Sequence, residues 1–104
     1  MPKGYWIARV DVHDPEAYKA YFAANAIPFK KYGARFLVRG GKTQCMGGSM
    51  RARNVVIEFE SYEVALACWN SPEYQQAAAL RQPPIADGDF IICEGYDGSQ
   101  PTVK

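Results

Sequence analysis

The sequence is poor in metal-binding residues and has no long apolar run. Its one histidine, His13, and its three cysteines, Cys45, Cys68 and Cys93, form no Cys-x-x-Cys pair. So few residues do not suit a Cys/His zinc site, and we therefore expect no metal. We expect the cysteines to be buried free thiols. No apolar stretch approaches the ~20 residues that cross a bilayer, and the N-terminus lacks a signal-peptide pattern. We therefore expect a cytoplasmic protein that does not bind membranes.

The sequence also lacks an excess of either charge and any complete nucleotide-binding motif. Twelve basic residues balance eleven acidic ones and are scattered along the chain, so we expect no nucleic-acid partner. The stretch Gly40-Gly41-Lys42-Thr43 resembles the end of a phosphate loop, but Phe36 stands where that motif needs its first glycine. No Gly-x-Gly-x-x-Gly pattern is present either. The sequence gives no reason to expect a cofactor.

What the sequence does contain is the pattern of one folded α+β domain, residues 1–104, with 48% hydrophobic residues. Alternating and helical apolar spacing predicts the order β-α-β-β-α-β. The predicted strands are residues 4–12, 34–40 with a continuation over 42–46, 54–60 and 89–95, and Asp87-Gly88 is a predicted turn. Helices should begin after the caps Asp14, Ser61 and Ser71, so that the second helical region is broken in two. Pro28 predicts a kink or break in the first helix.

This order predicts a ferredoxin-like antiparallel sheet, with strand order 4-1-3-2 and helices on one face. Strand alternation assigns each residue to the helix side or to the open side of the sheet. The residues predicted on the open face are Tyr5, Ile7, Arg9, Asp11, Arg35, Leu37, Arg39, Asn54, Val56, Glu58, Phe90, Ile92 and Glu94. Because this set is both apolar and charged, we expect a second copy of the chain to cover it, with ion pairs Arg39–Glu58 and Arg9–Glu94.

Several short matches along the chain resemble the domain-of-unknown-function 1330 family. They are Tyr32-Gly33-Ala34-Arg35, Arg39-Gly40-Gly41, residues 55–59 with Ser61, Trp69-x-Ser71-x-Glu73-Tyr74-Gln75, and Arg81. The resemblance implies a dimeric α+β barrel, a fold shared with small monooxygenases, muconolactone-isomerase-like enzymes and stress-responsive proteins. It implies no settled activity. The chain departs from the family at Ala34, where a second glycine is usual, and at Gly47-Gly48, where a Glu-Gly pair often stands.

Glu58 and His13 are the candidate catalytic residues. A carboxylate in an apolar cavity can act as a general base, and the alternative for Glu58 is a structural ion pair with Arg39. His13 could shuttle a proton because histidine titrates near neutral pH, or it could be exposed and inert.

The candidate ligand-binding residues are Arg39, Tyr21, Tyr74 and Arg81. Arg39 can grip a carboxylate with two hydrogen bonds. Tyr21 and Tyr74 could donate hydroxyl hydrogen bonds or simply pack in the core. Arg81, seven residues after Tyr74, lies on the same side of the helix, and the alternative is that it is solvated.

The sequence therefore predicts a small homodimer that binds a small anionic or aromatic organic molecule in a cavity on the open sheet face. If the protein is an enzyme, cofactor-free isomerisation or oxygenation fits these residues best. The alternative is a non-catalytic binding or stress-responsive assembly module, in which the charged patch only sets the register of the dimer.

Overall fold

The computed structural model describes residues 2–102 and shows the predicted order of elements. The elements are β1 (Gly4–Val12), α1 (Pro15–Lys31), β2 (Arg35–Arg39), β3 (Arg53–Phe59), α2 (Tyr62–Asn70), α3 (Pro72–Ala78), a 3-10 turn (Ala79–Arg81) and β4 (Ala86–Glu94). The side chains of Asp14, Ser61 and Ser71 accept backbone N–H hydrogen bonds at the three helix starts, as predicted. No helix of the described part of the chain is both long and apolar enough to cross a bilayer.

The four strands form one antiparallel sheet with the order β2-β3-β1-β4. Read from the other edge this is 4-1-3-2, so the predicted α+β fold and strand order are confirmed. β1 and β3 are the central strands, and β2 and β4 are the edges. The helices cover one face, and we call this the helix side and the other face the open side.

An aromatic cluster around Trp6 holds the helices on the sheet. The Trp6 ring lies 4.8–5.4 Å, centroid to centroid, from the rings of Phe29, Phe59, Trp69 and Tyr74. The indole N–H of Trp6 donates a 2.9 Å hydrogen bond to the carbonyl of Ala65 in α2. Because Trp6 comes from a central strand, this cluster joins α1, α2 and α3 to the middle of the sheet.

Three predicted local features are wrong. Helix α1 runs through Pro28 without a break, because the proline lies in the last turn and is almost fully buried beside the core. Residues 42–46 form no strand, so the segment between β2 and β3 is a long exposed loop. Asp87-Gly88 lies inside β4 opposite Asp11 and Val10, and is not a turn.

The two faces of β4 are the reverse of the prediction. Phe90 lies opposite Ala8, and Ile92 lies opposite Trp6. Because paired residues share a face, Phe90 and Ile92 lie on the helix side, and Ile91 and its neighbour Cys93 lie on the open side. All four residues 90–93 are apolar, so their polarity did not indicate which of them face the helices.

A β-bulge at Leu37 changes the face of Arg39. Phe36 lies opposite Ile57 and Val38 lies opposite Val56, so β2 holds one extra residue between these pairs. The bulge places Arg39 opposite Val55, on the helix side, and leaves Val38 on the open side. The predicted Arg39–Glu58 ion pair is therefore wrong, because the sheet separates the two side chains.

Candidate functional site

A narrow cavity lies between α1 and the helix side of the sheet. Its walls are largely aromatic and include Trp6, Tyr18, Phe29, Phe36 and Phe90. The space open to a water-sized sphere is about 30 Å³, which is room for one or two water molecules. The polar groups at this cavity are few, and they decide what it can bind.

Two arginines stand at the mouth of the cavity, and aromatic rings hold them there. The guanidinium carbon of Arg39 lies 4.0 Å from the ring centroid of Phe36, and that of Arg53 lies 4.9 Å from the ring centroid of Phe22. Within residues 2–102, neither arginine has a carboxylate within 4.0 Å. Both guanidinium groups therefore stack on aromatic rings instead of pairing with carboxylates.

Gly40 makes room for this arrangement. Its φ of 68° is in the left-handed region, and a Cβ built there would lie 2.5 Å from Nη1 of Arg53. Glycine allows the chain to leave β2 while the guanidinium of Arg53 stays over Phe22.

Two tyrosine hydroxyls and Arg81 form a buried hydrogen-bonded chain behind the cavity. The hydroxyl oxygens of Tyr21, which lines the cavity, and Tyr74 are 2.9 Å apart. Arg81 donates from Nη2 to the Tyr74 hydroxyl, also at 2.9 Å. Burial, with Tyr21 beside it, raises the pKa of Tyr74 well above its usual value, so this hydroxyl stays protonated.

Arg81 carries a charge that the described residues do not neutralise. The side chain is 8% exposed, and its guanidinium carbon lies 4.1 Å from the ring centroid of Phe90 and 5.3 Å from that of Tyr21. Its Nε is buried and has no hydrogen-bond partner in the part of the chain described. Burying a cation without a counter-charge is costly, so Arg81 is a group that a bound anion would stabilise.

Glu58 lies on the open side, away from this cavity. The Tyr5 hydroxyl donates a 3.1 Å hydrogen bond to Oε2, and Nη1 of Arg35 is 4.0 Å from Oε1. Burial and the neighbouring Glu58 raise the pKa of Tyr5. The predicted Arg9–Glu94 pair is also wrong: Arg9 donates to the carbonyl of Ser49, while Glu94 lies opposite Gly4 at the other end of β1.

His13 is exposed just after β1, with Nε2 2.9 Å from a carboxylate oxygen of Asp87. Glu58 lies opposite Tyr5, near the start of β1. At ~3.3 Å per residue, about 25 Å of strand separates the two predicted catalytic residues. They cannot act on the same bond of one small substrate.

The structure thus gathers Arg39, Tyr21, Tyr74 and Arg81 on the helix side and leaves Glu58 and His13 outside that group. Arg53, Phe22 and Asn25, which also line the cavity, were not among the predicted site residues. A signal for Arg53 was present, because it precedes Val55 by two positions and so shares its face.

The cysteines take three different environments, so the expectation of three buried thiols is wrong. Cys45 is exposed in the loop between β2 and β3, Cys93 is half-buried, and Cys68 is fully buried. Burial raises the pKa of Cys68 to about 12, so it is a packing residue rather than a nucleophile. Within residues 2–102, no three side chains of His, Cys, Asp or Glu come together as metal ligands would.

A family model described as a domain of unknown function (DUF1330) matches residues 3–96. No curated protein matches the chain. A protein of unknown function from Rhodopseudomonas palustris, RPA0582, is 17% identical, with a TM-score of 0.73 over 93% of this chain and 85% of that chain.

Two other solved structures share the fold at low identity. SnoaB, a cofactor-independent oxygenase from Streptomyces nogalater, is 13% identical, with a TM-score of 0.61 and full coverage of both chains. A dimeric ferredoxin-like protein of unknown function from Thermobifida fusca is 16% identical, with a TM-score of 0.60 over 89% of this chain and 91% of that chain. At these identities the likeness shows the ferredoxin-like fold alone.

Proposed function

The chain belongs to the DUF1330 family, and we propose that it binds a small aromatic anion in the cavity between α1 and the sheet. The ring occupies the aromatic interior, and the acidic group lies at the mouth between Arg39 and Arg53. One observation carries this proposal: two arginines flank an aromatic cavity and have no carboxylate partner among the described residues.

The physical reason is charge balance. A guanidinium grips a carboxylate with two parallel hydrogen bonds, and it stacks on rings while doing so. An anion at the mouth supplies the counter-charge that the chain itself does not supply. A neutral ligand would offer the two guanidinium groups no counter-charge.

The cavity must widen to admit a ring. At about 30 Å³ it is far smaller than the ~300 Å³ of ordinary ligand sites. Phe22 is half-buried, and its ring carries the stacked Arg53. Outward rotation of this one side chain opens the mouth and moves that arginine with it.

The test is calorimetric titration of 2-naphthoate into the purified protein, with neutral 2-naphthamide as the matched ligand. Arg39→Gln and Arg53→Gln should each weaken 2-naphthoate binding about tenfold, the loss expected for one charged hydrogen-bonded contact. Arg35→Gln is the control, because this arginine lies on the same strand with its side chain 77% exposed and faces the other way. Equal binding of acid and amide, or equal effects of all three variants, would contradict the proposal.

A catalytic role is the second candidate, and the chain Tyr21–Tyr74–Arg81 favours it. The Tyr21 hydroxyl can donate to an oxygen anion on a ring bound in the cavity, and Tyr74 and Arg81 polarise that hydroxyl from behind. The proton that the phenol or enol loses passes to solvent water at the mouth of the cavity. The similarity to SnoaB makes cofactor-free oxygenation the reaction to test. Oxygen uptake with a panel of polyhydroxylated aromatic compounds should depend on Tyr21 and Tyr74. Binding without oxygen uptake or proton exchange leaves the protein a non-catalytic binding module.

We also propose that the open side of the sheet packs on a second copy of the chain. Ile91 is 55% exposed beside Ile7, and Leu37 and Val38 are also exposed at the β2 edge. The similar Thermobifida fusca protein is described as dimeric. Light scattering should give a dimer mass that Ile91→Lys reduces to a monomer mass. Ile27→Lys, at an exposed isoleucine on α1, should not change it, and a monomer without any substitution would rule the proposal out.

A further inference from the structure

A second, larger recess lies along the outer edge of β4. It is bounded by Trp69, by α3 and the turn after it, and by β4, which is an edge strand. The space open to a water-sized sphere is about 310 Å³, ten times that of the interior cavity. We call this recess the β4 groove. Phe90 lines both spaces and forms the wall between them.

The β4 groove presents an unusual set of polar groups. Arg81 lines it, is more than nine-tenths buried, has no carboxylate within 4.0 Å in residues 2–102, and keeps an Nε without a partner. The amide nitrogens of Gln75 and Gln82 already donate to the carbonyls of Trp69 and Ala78, at 2.6 and 3.0 Å. The hydrogen-bonding groups left for a ligand are therefore the Arg81 cation and, on each of the two exposed glutamines, the amide oxygen and one remaining N–H.

A single acidic residue stands at the rim. Asp87 lines the β4 groove, and its carboxylate oxygen lies 2.9 Å from Nε2 of His13. A simple inorganic anion would meet repulsion from the Asp87 carboxylate and would make no use of the amide oxygens. A ligand that carries both an acidic group and a hydrogen-bond donor meets all three kinds of group.

We propose that the β4 groove is a second binding site, which takes a small organic carboxylate bearing a hydroxyl or amino group. The carboxylate pairs with Arg81 and neutralises its buried charge. The hydroxyl or amino group donates to the amide oxygens of Gln75 and Gln82 or to Asp87. The body of the ligand packs against Trp69 and Phe90, which are half-buried and contact each other at a centroid distance of 5.7 Å.

The two tryptophans of the chain line different sites, and because their rings contact each other at 5.4 Å the comparison of their two signals, rather than either one alone, distinguishes the sites. Trp6 lines only the interior cavity, and Trp69 lines only the β4 groove. Each indole N–H gives its own signal in a ¹⁵N correlation spectrum, and Trp69→Phe assigns them. A ligand in the β4 groove should move the Trp69 signal by the larger amount.

The probe is 4-hydroxybenzoate, titrated into the full chain, with its neutral methyl ester as the matched ligand. Saturable binding of the acid, with the Trp69 signal moving, is expected, and the ester should bind at least about tenfold more weakly. Gln75→Glu places a carboxylate in the β4 groove and should weaken the acid about tenfold. Gln76→Glu is the matched control, because the adjacent side chain is also exposed, makes the same charge change and lies outside the β4 groove.

Two results would contradict this proposal and leave the proposal for the interior cavity standing. One is a shift of the Trp6 signal alone, lost in Arg39→Gln, which would assign the probe to the interior cavity. The other is equal weakening by Gln75→Glu and Gln76→Glu, which would show only a general charge effect. An unchanged spectrum at millimolar probe would also refute the β4 groove as a carboxylate site. The thermal stability of both glutamate variants, measured in parallel, separates lost binding from lost folding.

Discussion

Removing the hydroxyl of Tyr74 should destabilise the fold far more than removing other buried tyrosine hydroxyls. The Tyr74 side chain is completely buried, and its hydroxyl holds both the Tyr21 hydroxyl and the guanidinium of Arg81 at 2.9 Å. Tyr74→Phe keeps the ring in the aromatic cluster and deletes only the oxygen. The substitution leaves the buried Arg81 guanidinium without the one side-chain hydrogen bond that it makes among the described residues.

The magnitude follows from the two contacts. A hydrogen bond to a charged group contributes ~1.5–3 kcal/mol and a neutral one ~0.5–1.5 kcal/mol, so Tyr74→Phe should cost about 2–4.5 kcal/mol. Tyr21→Phe removes only the neutral contact and should cost about 1 kcal/mol. Tyr18 is also buried, but its hydroxyl makes no hydrogen bond to the described residues, so Tyr18→Phe should cost less than ~0.5 kcal/mol.

Urea unfolding followed by tryptophan fluorescence measures all three variants. The protein concentration must be identical in every experiment, because a dimer would make the midpoint concentration-dependent. The expected order of destabilisation is Tyr74 > Tyr21 > Tyr18, with unchanged slopes of free energy against urea. If Tyr74→Phe costs no more than Tyr18→Phe, then Arg81 is satisfied by another group, and the argument for an uncompensated buried charge fails.

Two further predictions concern titratable groups outside the cavity. The backbone N–H of Ala52, aided by the charge of Arg51, lowers the pKa of Asp11 below 3.8, so the stabilisation from this carboxylate is present above pH 3.8 and lost as the pH falls below it. Amide exchange at Ala52, corrected for intrinsic rates, should therefore accelerate below that pH, and Asp11→Asn should remove this dependence. A disulfide-exchange reagent at pH 8 should modify exposed Cys45 quickly and reach Cys68 only in urea, and rapid modification of Cys68 in the folded protein would contradict its burial.

The sequence predicted those parts of the fold that depend on local signals. The caps Asp14, Ser61 and Ser71 predicted the helix starts, because a short polar side chain before a helix accepts hydrogen bonds from the free N–H groups of the first turn. The alternation in β1 and β3 was unambiguous, since one face of each strand is wholly apolar and all the charged residues predicted on β1 and β3 lie on the other face. The strand order then followed from the order of elements and the handedness of crossovers.

The site was less predictable because it depends on which face of the sheet the side chains of β2 and β4 occupy. Residues 90–93 are all apolar, so only pairing with β1 decides that Phe90 faces the helices. The bulge at Leu37 is invisible in the sequence because Phe36, Leu37 and Val38 are all apolar, so their polarity fits either register. Each of these shifts moves side chains through the full thickness of the sheet. One shift brought Arg39 into the cavity, and the other supplied the wall that separates the cavity from the β4 groove.

The resulting distribution of charge is the main reason to look for ligands on the helix side. On the open side, Glu58 accepts from Tyr5, and Arg51 bridges Asp11 and Asp89 at 2.9 Å each. The arginines of the helix side, Arg39, Arg53 and Arg81, contact aromatic rings and no carboxylate of the described residues. A fold that needed only structural ion pairs would have placed its acids beside these cations, of which Arg81 is buried, Arg53 half-buried and Arg39 exposed. Three uncompensated cations around one aromatic interior therefore favour anionic ligands over a purely structural role.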